Sequence, residues 1–427
     1  MISYLDALRL LQAEARPLSR EEVSLEEAAG RFSSGDLPSP TTLPPFPNSA
    51  MDGFALVAGA AGLPTGTTLR VVGRVAAGDG PPRGLGGRGD VTQGDDVEGG
   101  TRQAWEIMTG APVPSGLDTV VPVERVEVRE EGGRVTSIRL LDEEPAGRNI
   151  RPAGADFLPG DPVLAPGRRI GPVEVMALAA LGVGRVPVLE VPGAAILSTG
   201  PELVDDPRLP LPPGGIRNSN GPFLARALEH EGVHVLSRKT LGDDEAPFRR
   251  EVEAAVEAGA RLVISTGAVS MGRYDFVPEA LEGLGARILF HRAAIRPGKP
   301  ILAAVLPGGA IHFGLPGNPI SAAVGFRFFV HPLLRALRGL GPERGWPMPL
   351  GETRRKPLPF RQFLKARVEI TASGSPRVDV LPGQESFRIA PMLRTQAWAV
   401  LPEGRAEVEE GSMVEVFGMS GPILPDF

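Results

Sequence analysis

The sequence predicts a multidomain protein in which an α/β domain with a mainly parallel sheet is accompanied by domains built from short β-strands. At 427 residues, the chain is too long for a single hydrophobic core, and roughly three or four domains are expected. Strand–loop–helix units alternate from about residue 188 to 336. Glycine (55) and proline (45) are abundant without a collagen repeat, which is typical of many tight turns.

The N-terminal residues predict two helices. Within residues 1–16 apolar side chains recur at helical spacing, on a face formed by Tyr4, Leu5, Leu8 and Leu11. Ser24 and Glu27 have the spacing of a capping box, so a second helix is expected over Leu25–Ala29.

Three further regions differ in their periodicity. Residues 35–146 contain short β-like runs, including 69–75 and 119–123. In the α/β region we expect strands at 194–198, 233–239, 262–265 and 311–315, and helices at 222–231, 246–258, 276–284 and 320–337. The residues after about 345 alternate again and predict a small β domain, with strands at 365–370, 378–381, 398–401 and 413–416.

The composition excludes several classes of site. The chain has no cysteine, which excludes thiol catalysis, disulfides, iron–sulfur clusters and cysteine-ligated zinc. Its five histidines show no metal-ligand or triad pattern, so a metal would be a hard ion held by carboxylates, such as Mg²⁺. The net charge of −6 argues against nucleic-acid binding. A GxGxxG at residues 84, 86 and 89 lacks the strand and helix that a dinucleotide site needs.

The sequence shows no targeting or membrane signal. The N-terminus lacks a basic start, and Asp6 and Arg9 interrupt its apolar residues, so it does not resemble a signal peptide. No uninterrupted apolar run approaches the roughly 18–20 residues that span a bilayer. We therefore expect a cytoplasmic protein without membrane contact.

Three strands of the α/β region run into loops of small residues, at 198–202, 265–272 and 315–321. In an open parallel sheet, ligands bind at the carboxyl ends of the strands, and glycine allows a phosphate to approach the backbone. These loops predict a nucleotide or another phosphorylated ligand. The candidate ligand-binding residues are Ser198, Thr199, Gly200, Gly267, Ser270, Pro316, Gly317 and Asn318.

Charged residues gather near the same loops. Glu202, Asp243, Asp244 and Asp275 follow predicted strands. One of Asp243 and Asp244 is expected to cap the next helix, and a capping role also stays open for Asp275. At least one of these carboxylates is expected to hold Mg²⁺ beside phosphate. Two proline-stiffened loops each carry two cations three residues apart, interpreted either as solvated charges or as oxyanion ligands. These cations are Arg148, Arg151, Arg296 and Lys299.

The most distinctive segment is residues 43–56, a shaped loop that carries the carboxylate of Asp52 and leads into a short strand. It closely resembles the Pro-Pro-Phe-Asp-Asn-Ser-Ala-Met-Asp-Gly-Tyr-Ala signature of the molybdopterin molybdenumtransferase family, which comprises bacterial MoeA and the corresponding domain of gephyrin. Six further segments are similar to family segments in the same order. They are Ile107–Pro114, Arg148–Asp156, Ile216–Gly221, Asp275, Lys299 and Leu315–Ser321.

The resemblance implies an elongated, four-domain, homodimeric architecture. A discontinuous helical domain (1–34 and 147–187) would carry an inserted β domain (35–146). A central α/β domain (188–338) would resemble molybdopterin adenylyltransferases, and a small β domain (339–427) would complete the chain. The active site would lie between the α/β domain of one subunit and the inserted domain of the other.

The implied reaction is Mg²⁺-dependent insertion of molybdate into adenylylated molybdopterin with release of AMP. Carried over by motif, the site would contain Asp52, Thr109, Arg148, Arg151, Asp156, Glu202, Asp243, Asp275, Arg296 and Lys299. Asp243 and Asp275 would hold Mg²⁺, while Asp52, Thr109, Glu202 and Asp275 would serve catalysis. Asp52 and Glu202 would handle protons if their pKa values are raised. Other cofactor-biosynthesis proteins and apo-molybdoenzymes are expected partners.

Several positions depart from the family pattern, namely Pro47, Glu106, Ala155, Pro201 and Ala268. Ala268 replaces a glycine, which would hinder a backbone with positive φ. Two alternatives therefore stay open at this stage: an adenylyltransferase on the same α/β fold, or a carrier that binds the pterin without turnover. The sequence leaves the choice between molybdate and tungstate undecided.

Overall fold

The computed structural model describes residues 1–80, 102–269 and 276–421. The GxGxxG segment, Ser270 and Asp275 lie outside the described residues. Within them, three six-stranded sheets form the main scaffolds, and five two-stranded pairs connect them.

The first 189 residues build a six-stranded sheet, which we call the inserted sheet, and a smaller unit around it. The elements are α1 (Tyr4–Glu14), β1 (Arg20–Ser24), α2 (Leu25–Ala28), β2 (Leu37–Pro38), β3 (Asn48–Ser49), β4 (Gly53–Leu56), β5 (Thr68–Val75), β6 (Arg102–Ile107), β7 (Thr119–Pro122), a 3-10 turn (Val123–Arg125), β8 (Val126–Glu131), β9 (Arg134–Leu140), β10 (Ile150–Arg151), β11 (Pro162–Leu164), α3 (Pro172–Ala180) and β12 (Arg185–Leu189). The inserted sheet has the order β7-β4-β6-β5-β9-β8. The capping box that begins α2 is present, with Ser24 and Glu27 bonding each other's backbone N–H.

The first helix packs against distant parts of the chain. Its buried face consists of Tyr4, Ala7 and Leu11, whereas Leu5 is 47% exposed, so the prediction that Leu5 belongs to the apolar face is wrong. The Tyr4 ring makes edge contacts with Phe328, Phe329 and Phe363. α1 thus joins one core with the α/β and C-terminal residues. The domain boundaries given above stay predictions.

The α/β region follows the predicted alternation. Its elements are β13 (Gly193–Thr199), β14 (Leu203–Val204), β15 (Ile216–Arg217), α4 (Asn220–His230), β16 (His234–Leu241), α5 (Glu245–Glu257), β17 (Ala260–Thr266), α6 (Val277–Gly283), β18 (Arg287–His291), β19 (Ile295–Arg296), β20 (Leu302–Val305), β21 (Ile311–Leu315), α7 (Pro319–Gly325), a π-helical segment (Phe326–Val330) and α8 (His331–Leu337). The sheet order is β16-β13-β17-β21-β20-β18. The first four strands are parallel, β20 runs antiparallel to β21, and β18 runs antiparallel to β20. The sequence pattern did not predict these last two strands.

The C-terminal residues form the third sheet. Its elements are β22 (Trp346–Pro349), β23 (Arg354–Arg355), β24 (Arg361–Ile370), β25 (Pro376–Val380), a 3-10 helix (Ala390–Arg394), β26 (Ala397–Leu401), β27 (Glu407–Val408) and β28 (Met413–Gly418). Lys365 in β24 is fully buried, and its ammonium donates to the carbonyls of Gly383 (2.6 Å) and Arg388 (3.2 Å). This lysine therefore holds the loop 383–388 in shape.

The helical stretch Pro319–Leu337 is central to the α/β region. Among the described residues it alone is long and apolar enough to cross a membrane, with a mean hydropathy of 1.3, but 89% of that stretch is buried inside the protein. Such burial is typical of a core helix in a soluble protein. A π-helical segment interrupts the stretch at Phe326–Val330.

A chain of five charged side chains fixes the second half of this stretch. Arg327 bonds Glu343 at 2.6 Å, His331 lies 3.0 Å from Glu231 and 3.4 Å from Glu343, and Arg338 pairs with Glu231 at 3.3 Å. Each side chain is at most 7% exposed. Because buried charges are costly unless they are paired, the five groups depend on one another. We call them the buried charge chain.

Both acidic and basic members have shifted pKa values. Burial opposes the charge on His331, but hydrogen bonds to the carboxylates of Glu231 and Glu343 outweigh burial and raise the pKa of His331. Burial alone would raise the pKa of Glu343, but His331 and Arg327 hold that pKa at about 2. His331 is consequently the member that titrates on the alkaline side of its ordinary range.

We expect His331→Gln to lower the free energy of unfolding by about 3 kcal/mol at pH 6, because it leaves two buried carboxylates short of one cation. The contribution of a group whose folded pKa is raised is complete below its unfolded pKa, about 6.5, and disappears as the pH rises through the folded value. The difference from wild type should therefore shrink between pH 6 and pH 9 in urea unfolding. His230→Gln, at an exposed position, is the control, and a pH-independent difference would contradict the interpretation.

Candidate active site

The Asp52 carboxylate is fixed by the loop that follows β6. Its Oδ1 atom accepts hydrogen bonds from the backbone N–H of Thr109 (2.6 Å) and from the Thr109 hydroxyl (2.8 Å). The structure thus brings together two residues that the sequence assigned to catalysis. These two bonds lower the pKa of Asp52, whereas the proton-transfer hypothesis expected a raised pKa. Asp52 is therefore ionised at neutral pH, and its role in handling protons stays a prediction.

Backbone hydrogen bonds tie three loops around this pair. Gly110 N–H donates to the Ser49 carbonyl (2.8 Å), and Ala50 N–H donates to the Asn149 carbonyl (2.8 Å). β10, which contains Arg151, pairs with β3. The loop of Arg148 and Arg151 is consequently joined to the loop of Asp52.

The remaining candidates of this region, Asp156 and Arg148, lie on loops that are bonded to the Asp52 loop. Asp156 is exposed, and its N–H donates to the Leu43 carbonyl (3.0 Å) at the start of the Asp52 loop. Arg148 is half-exposed and lies 3.7 Å from the carboxylate of the buried Glu144. Arg125 reaches the same carboxylate at 3.0 Å. Glu144 thus lies within ion-pair distance of both cations, and the choice between a solvated charge and an oxyanion ligand stays open for Arg148.

The strand ends of the α/β sheet form a second group, built mainly from backbone. The Thr199 hydroxyl donates to the Thr266 carbonyl (3.1 Å), and Gly200 N–H donates to the Leu241 carbonyl (3.0 Å). A Cβ atom at Gly267 would lie 2.6 Å from the Thr199 carbonyl oxygen. A side chain at position 267 would therefore separate the first two loops.

The third loop packs against the second. Gly267 N–H donates to the Leu315 carbonyl (3.0 Å), and a Cβ atom at Gly317 would lie 3.9 Å from the Gly267 Cα atom. Ile320 N–H in the first turn of α7 donates to the Ser386 carbonyl (3.0 Å). The first turn of α7 therefore does not offer the Ile320 N–H to a ligand, because a loop of the C-terminal sheet already occupies that donor.

Two features shape the edge of these loops. Ala268 has φ +50°, so the left-handed backbone that glycine would favour is present with alanine. The carboxylate of Glu202 lies against Gly200, where a Cβ atom would meet both carboxylate oxygens at 2.6 Å. Ser198 is fully buried, and its hydroxyl has no hydrogen-bond partner among the described residues.

Arg296 and Lys299 lie beside the third loop. Arg296 belongs to β19, which pairs with β24 of the C-terminal sheet. Between the two cations, Gly298 packs close to Ser321 of α7, with 3.5 Å from its Cβ position to the Ser321 carbonyl oxygen. Both cations are exposed, and the Lys299 ammonium lies 5.7 Å from the centre of the Phe360 ring.

The acidic candidates have distinct roles. Asp244 accepts a hydrogen bond from Ala246 N–H and caps α5, as predicted for one of the pair. Asp243 is exposed directly after β16, at the edge where Gly200 meets Leu241. In the part of the chain that the structure describes, no three His, Asp or Glu side chains cluster in a way that could hold a metal ion.

Sequence reasoning missed two asparagines of this group. Asn218 and Asn220 belong to the family-like segment 216–221, but no role was assigned to them. Asn218 accepts from Gly221 N–H (2.9 Å), and Asn220 donates to the Gly317 carbonyl (2.8 Å). Both asparagines are buried at the start of α4. Because this burial results from tertiary packing, the Asn-Ser-Asn pattern was the only sequence feature that could have indicated a role for them.

The two groups are not bonded to each other within the described part of the chain. Among residues 1–80, 102–269 and 276–421, no hydrogen bond or ion pair joins the Asp52 loops to the three strand-end loops. Each group has its own hydrophobic core.

We expect Thr109→Val to raise the pKa of Asp52 part of the way to its ordinary value. The backbone N–H bond, which is the larger cause of the shift, remains in the variant. The carboxyl carbon of Asp52 can be followed by NMR as the pH is lowered from 6 to 2. Thr67→Val removes a hydroxyl that bonds the Pro64 carbonyl and serves as the control; an unchanged Asp52 titration in Thr109→Val would refute the assignment.

Three family models match the chain. They describe the "MoeA N-terminal region (domain I and II)" over residues 2–182, a "Probable molybdopterin binding domain" over 195–336 and the "MoeA C-terminal region (domain IV)" over 347–417. A molybdopterin biosynthesis MoeA protein from Pyrococcus horikosii has a similar structure, with a TM-score of 0.75, 29% identity and coverage of 99% of this chain and 100% of the other. This likeness confirms the predicted fold class.

Curated relatives extend the likeness to sequence. A molybdopterin molybdenumtransferase from Synechococcus elongatus is 40% identical over 425 residues, which covers 97% of this chain and 99% of the relative. One from Haemophilus influenzae is 32% identical over 96% of both chains. Because these relatives match over nearly their whole length, the chain belongs to the molybdopterin molybdenumtransferase family.

Proposed function

We propose that this enzyme of molybdenum cofactor biosynthesis inserts molybdate into adenylylated molybdopterin, with Mg²⁺, and releases AMP. The observation that carries the proposal is the ionised Asp52 carboxylate held by two bonds from Thr109. An ionised carboxylate would accept the proton of a dithiolene thiol and return it to an oxide ligand of molybdate, so that the oxide leaves as water.

Cations and backbone would hold the two oxyanions. Arg148 and Arg151 lie on the loop bonded to that of Asp52, so we assign them to molybdate, with Asp156 at the same rim. Guanidinium groups suit tetrahedral oxyanions because they donate two parallel hydrogen bonds. Arg296 and Lys299 lie beside the third strand-end loop, and we assign them to the phosphates.

The strand-end loops would hold the pterin nucleotide. Their glycines allow close approach of a ligand. The Ser198 hydroxyl completes the group as a proposed ligand, and the Glu202 carboxylate beside Gly200 is proposed to serve catalysis. Ser270 and Asp275 lie outside the described residues and are proposed from the sequence alone.

The residues at the strand ends fit Mg²⁺ chemistry. The exposed carboxylate of Asp243 follows β16, and with Asp275 it would supply the one or two protein carboxylates that Mg²⁺ usually takes, the rest coming from water and substrate phosphates. When bound, the ion would offset the charge of the phosphoanhydride and ease the departure of AMP.

We further propose that the enzyme acts as a homodimer. Asp52 and the strand-end loops make no bond with each other inside the described chain, so one complete site would combine the two groups from different subunits. A cytoplasmic location, delivery to apo-molybdoenzymes and contact with other cofactor-biosynthesis proteins belong to the same proposal.

The first experiment measures AMP release from adenylylated molybdopterin by the purified protein. Wild type should require both Mg²⁺ and molybdate, whereas Asp52→Ala should lose at least about 100-fold in rate while keeping its thermal unfolding temperature. Asp52→Asn tests the charge at nearly constant shape. Asp36→Ala removes another exposed carboxylate and should behave as wild type.

The outcomes separate the alternatives. Release without molybdate would contradict molybdate insertion as the step that expels AMP. Tight binding of the pterin nucleotide without release would favour a carrier, and formation of the adenylylated pterin from molybdopterin and ATP would favour an adenylyltransferase. Normal turnover by Asp52→Ala would refute the role of Asp52.

A mixing experiment tests the shared site. Asp52→Ala and Lys299→Ala, each inactive alone, should recover about a quarter of wild-type activity after subunit exchange, because half of the dimers are mixed and each mixed dimer has one intact site. Native mass spectrometry monitors the formation of mixed dimers. If mixed dimers form but activity does not recover, both residues belong to a site within one subunit.

A further inference from the structure

Asn220 connects α4 to the third strand-end loop. Its side-chain Nδ2 atom donates to the Gly317 carbonyl (2.8 Å), although the two residues are 97 positions apart. Asn220 is 8% exposed. A buried amide that bonds a glycine carbonyl of a candidate ligand loop is placed to control the shape of that loop.

Asn218 fixes the start of α4 from the other side. Its amide donates to the Thr240 hydroxyl (3.0 Å) at the end of β16 and to the Asp205 carboxylate (3.0 Å). Its oxygen accepts from Gly221 N–H (2.9 Å). The backbone that carries Asn220 is therefore anchored independently of Gly317, which makes Asn220 a fixed donor.

The Gly317 carbonyl determines where the next N–H points. In a trans peptide, the C=O and N–H bonds lie in one plane and point in opposite directions. Because Asn220 holds the carbonyl on the α4 side, the Asn318 N–H faces the opposite side of the loop. This N–H has no acceptor among the described residues, and Asn318 is exposed.

We propose that Asn220 is a positioning residue that holds the Gly317–Asn318 peptide so that the Asn318 N–H can donate to a phosphate oxygen of the bound pterin nucleotide. This inference rests on the proposed function for the nature of the ligand. The adjacent Ile320 N–H is already taken by the Ser386 carbonyl, so the loop peptide, rather than the first turn of α7, is the backbone donor at this position.

Substitution of Asn220 separates positioning from packing. Asn220→Asp has nearly the same shape but replaces the donor with an oxygen that repels the Gly317 carbonyl. Asn220→Ala removes the donor without that repulsion. Ser219→Ala is the matched control, because Ser219 is exposed and makes no capping bond with the helix.

Two readouts are needed. In ligand-free protein, hydrogen exchange of amides in the peptide 313–322 should accelerate at least about ten-fold in Asn220→Asp and less in Asn220→Ala. In AMP release, the KM for adenylylated molybdopterin should rise about ten-fold in Asn220→Asp, as loss of one hydrogen bond to a charged group predicts, while kcat changes less than about two-fold.

The results distinguish this inference from the proposed function. Unchanged hydrogen exchange and an unchanged KM in Asn220→Asp would overturn the inference about Asn220. Accelerated exchange throughout β13 and β17, with an equal loss in kcat, would show a structural role only and also overturn it. Failure of wild type to release AMP would refute the proposed function, yet the exchange experiment would still decide whether Asn220 holds the loop. If Asn220→Asp does not fold, Asn220→Ala is judged by the same two criteria.

Discussion

The buried charge chain constrains the position of the helix that carries the ligand loop. Arg327, His331 and Arg338 all belong to one side of the helical stretch and its end, and their partners Glu231 and Glu343 come from the end of α4 and from the link to the C-terminal sheet. Removing one member of such a network leaves an uncompensated buried charge, which costs about 3–5 kcal/mol. The helix therefore cannot slide or rotate without breaking several of these ion pairs. The loop before Pro319 is held in place because it is covalently continuous with this helix.

Because this helix is fixed, the strand-end loops beside it are held mainly by contacts between backbone groups. The three strand-end loops touch through Thr199, Gly267 and Gly317, and none of these contacts uses a charged side chain. The inserted sheet presents the opposite kind of surface, with Asp52, Arg148 and Arg151 supported by loop-to-loop bonds. Backbone N–H groups suit a phosphate and guanidinium groups suit a small oxyanion, and the proposed assignment of the two substrates rests on this difference.

Local patterns predicted the elements well and their tertiary partners poorly. The capping box of α2 and the Asp244 cap of α5 need only neighbouring residues, and both are present. β18 and β20 are short apolar runs without alternation, which periodicity does not distinguish from loop or helix. The lowered pKa of Asp52 depends on Thr109, 57 residues away, and the loss of the Ile320 donor depends on Ser386. Such long-range contacts leave no local signal.

The substituted family positions change side chains more than backbone bonds. Ala268 adopts φ +50°, at a cost of roughly 1–2 kcal/mol relative to glycine, yet the loop keeps its hydrogen bond from Gly267 to Leu315. The Pro47 carbonyl accepts from Val113 N–H, a bond that proline can make because it lacks only the donor. At positions 47 and 268 the loop hydrogen bonds are therefore compatible with the residues that are present.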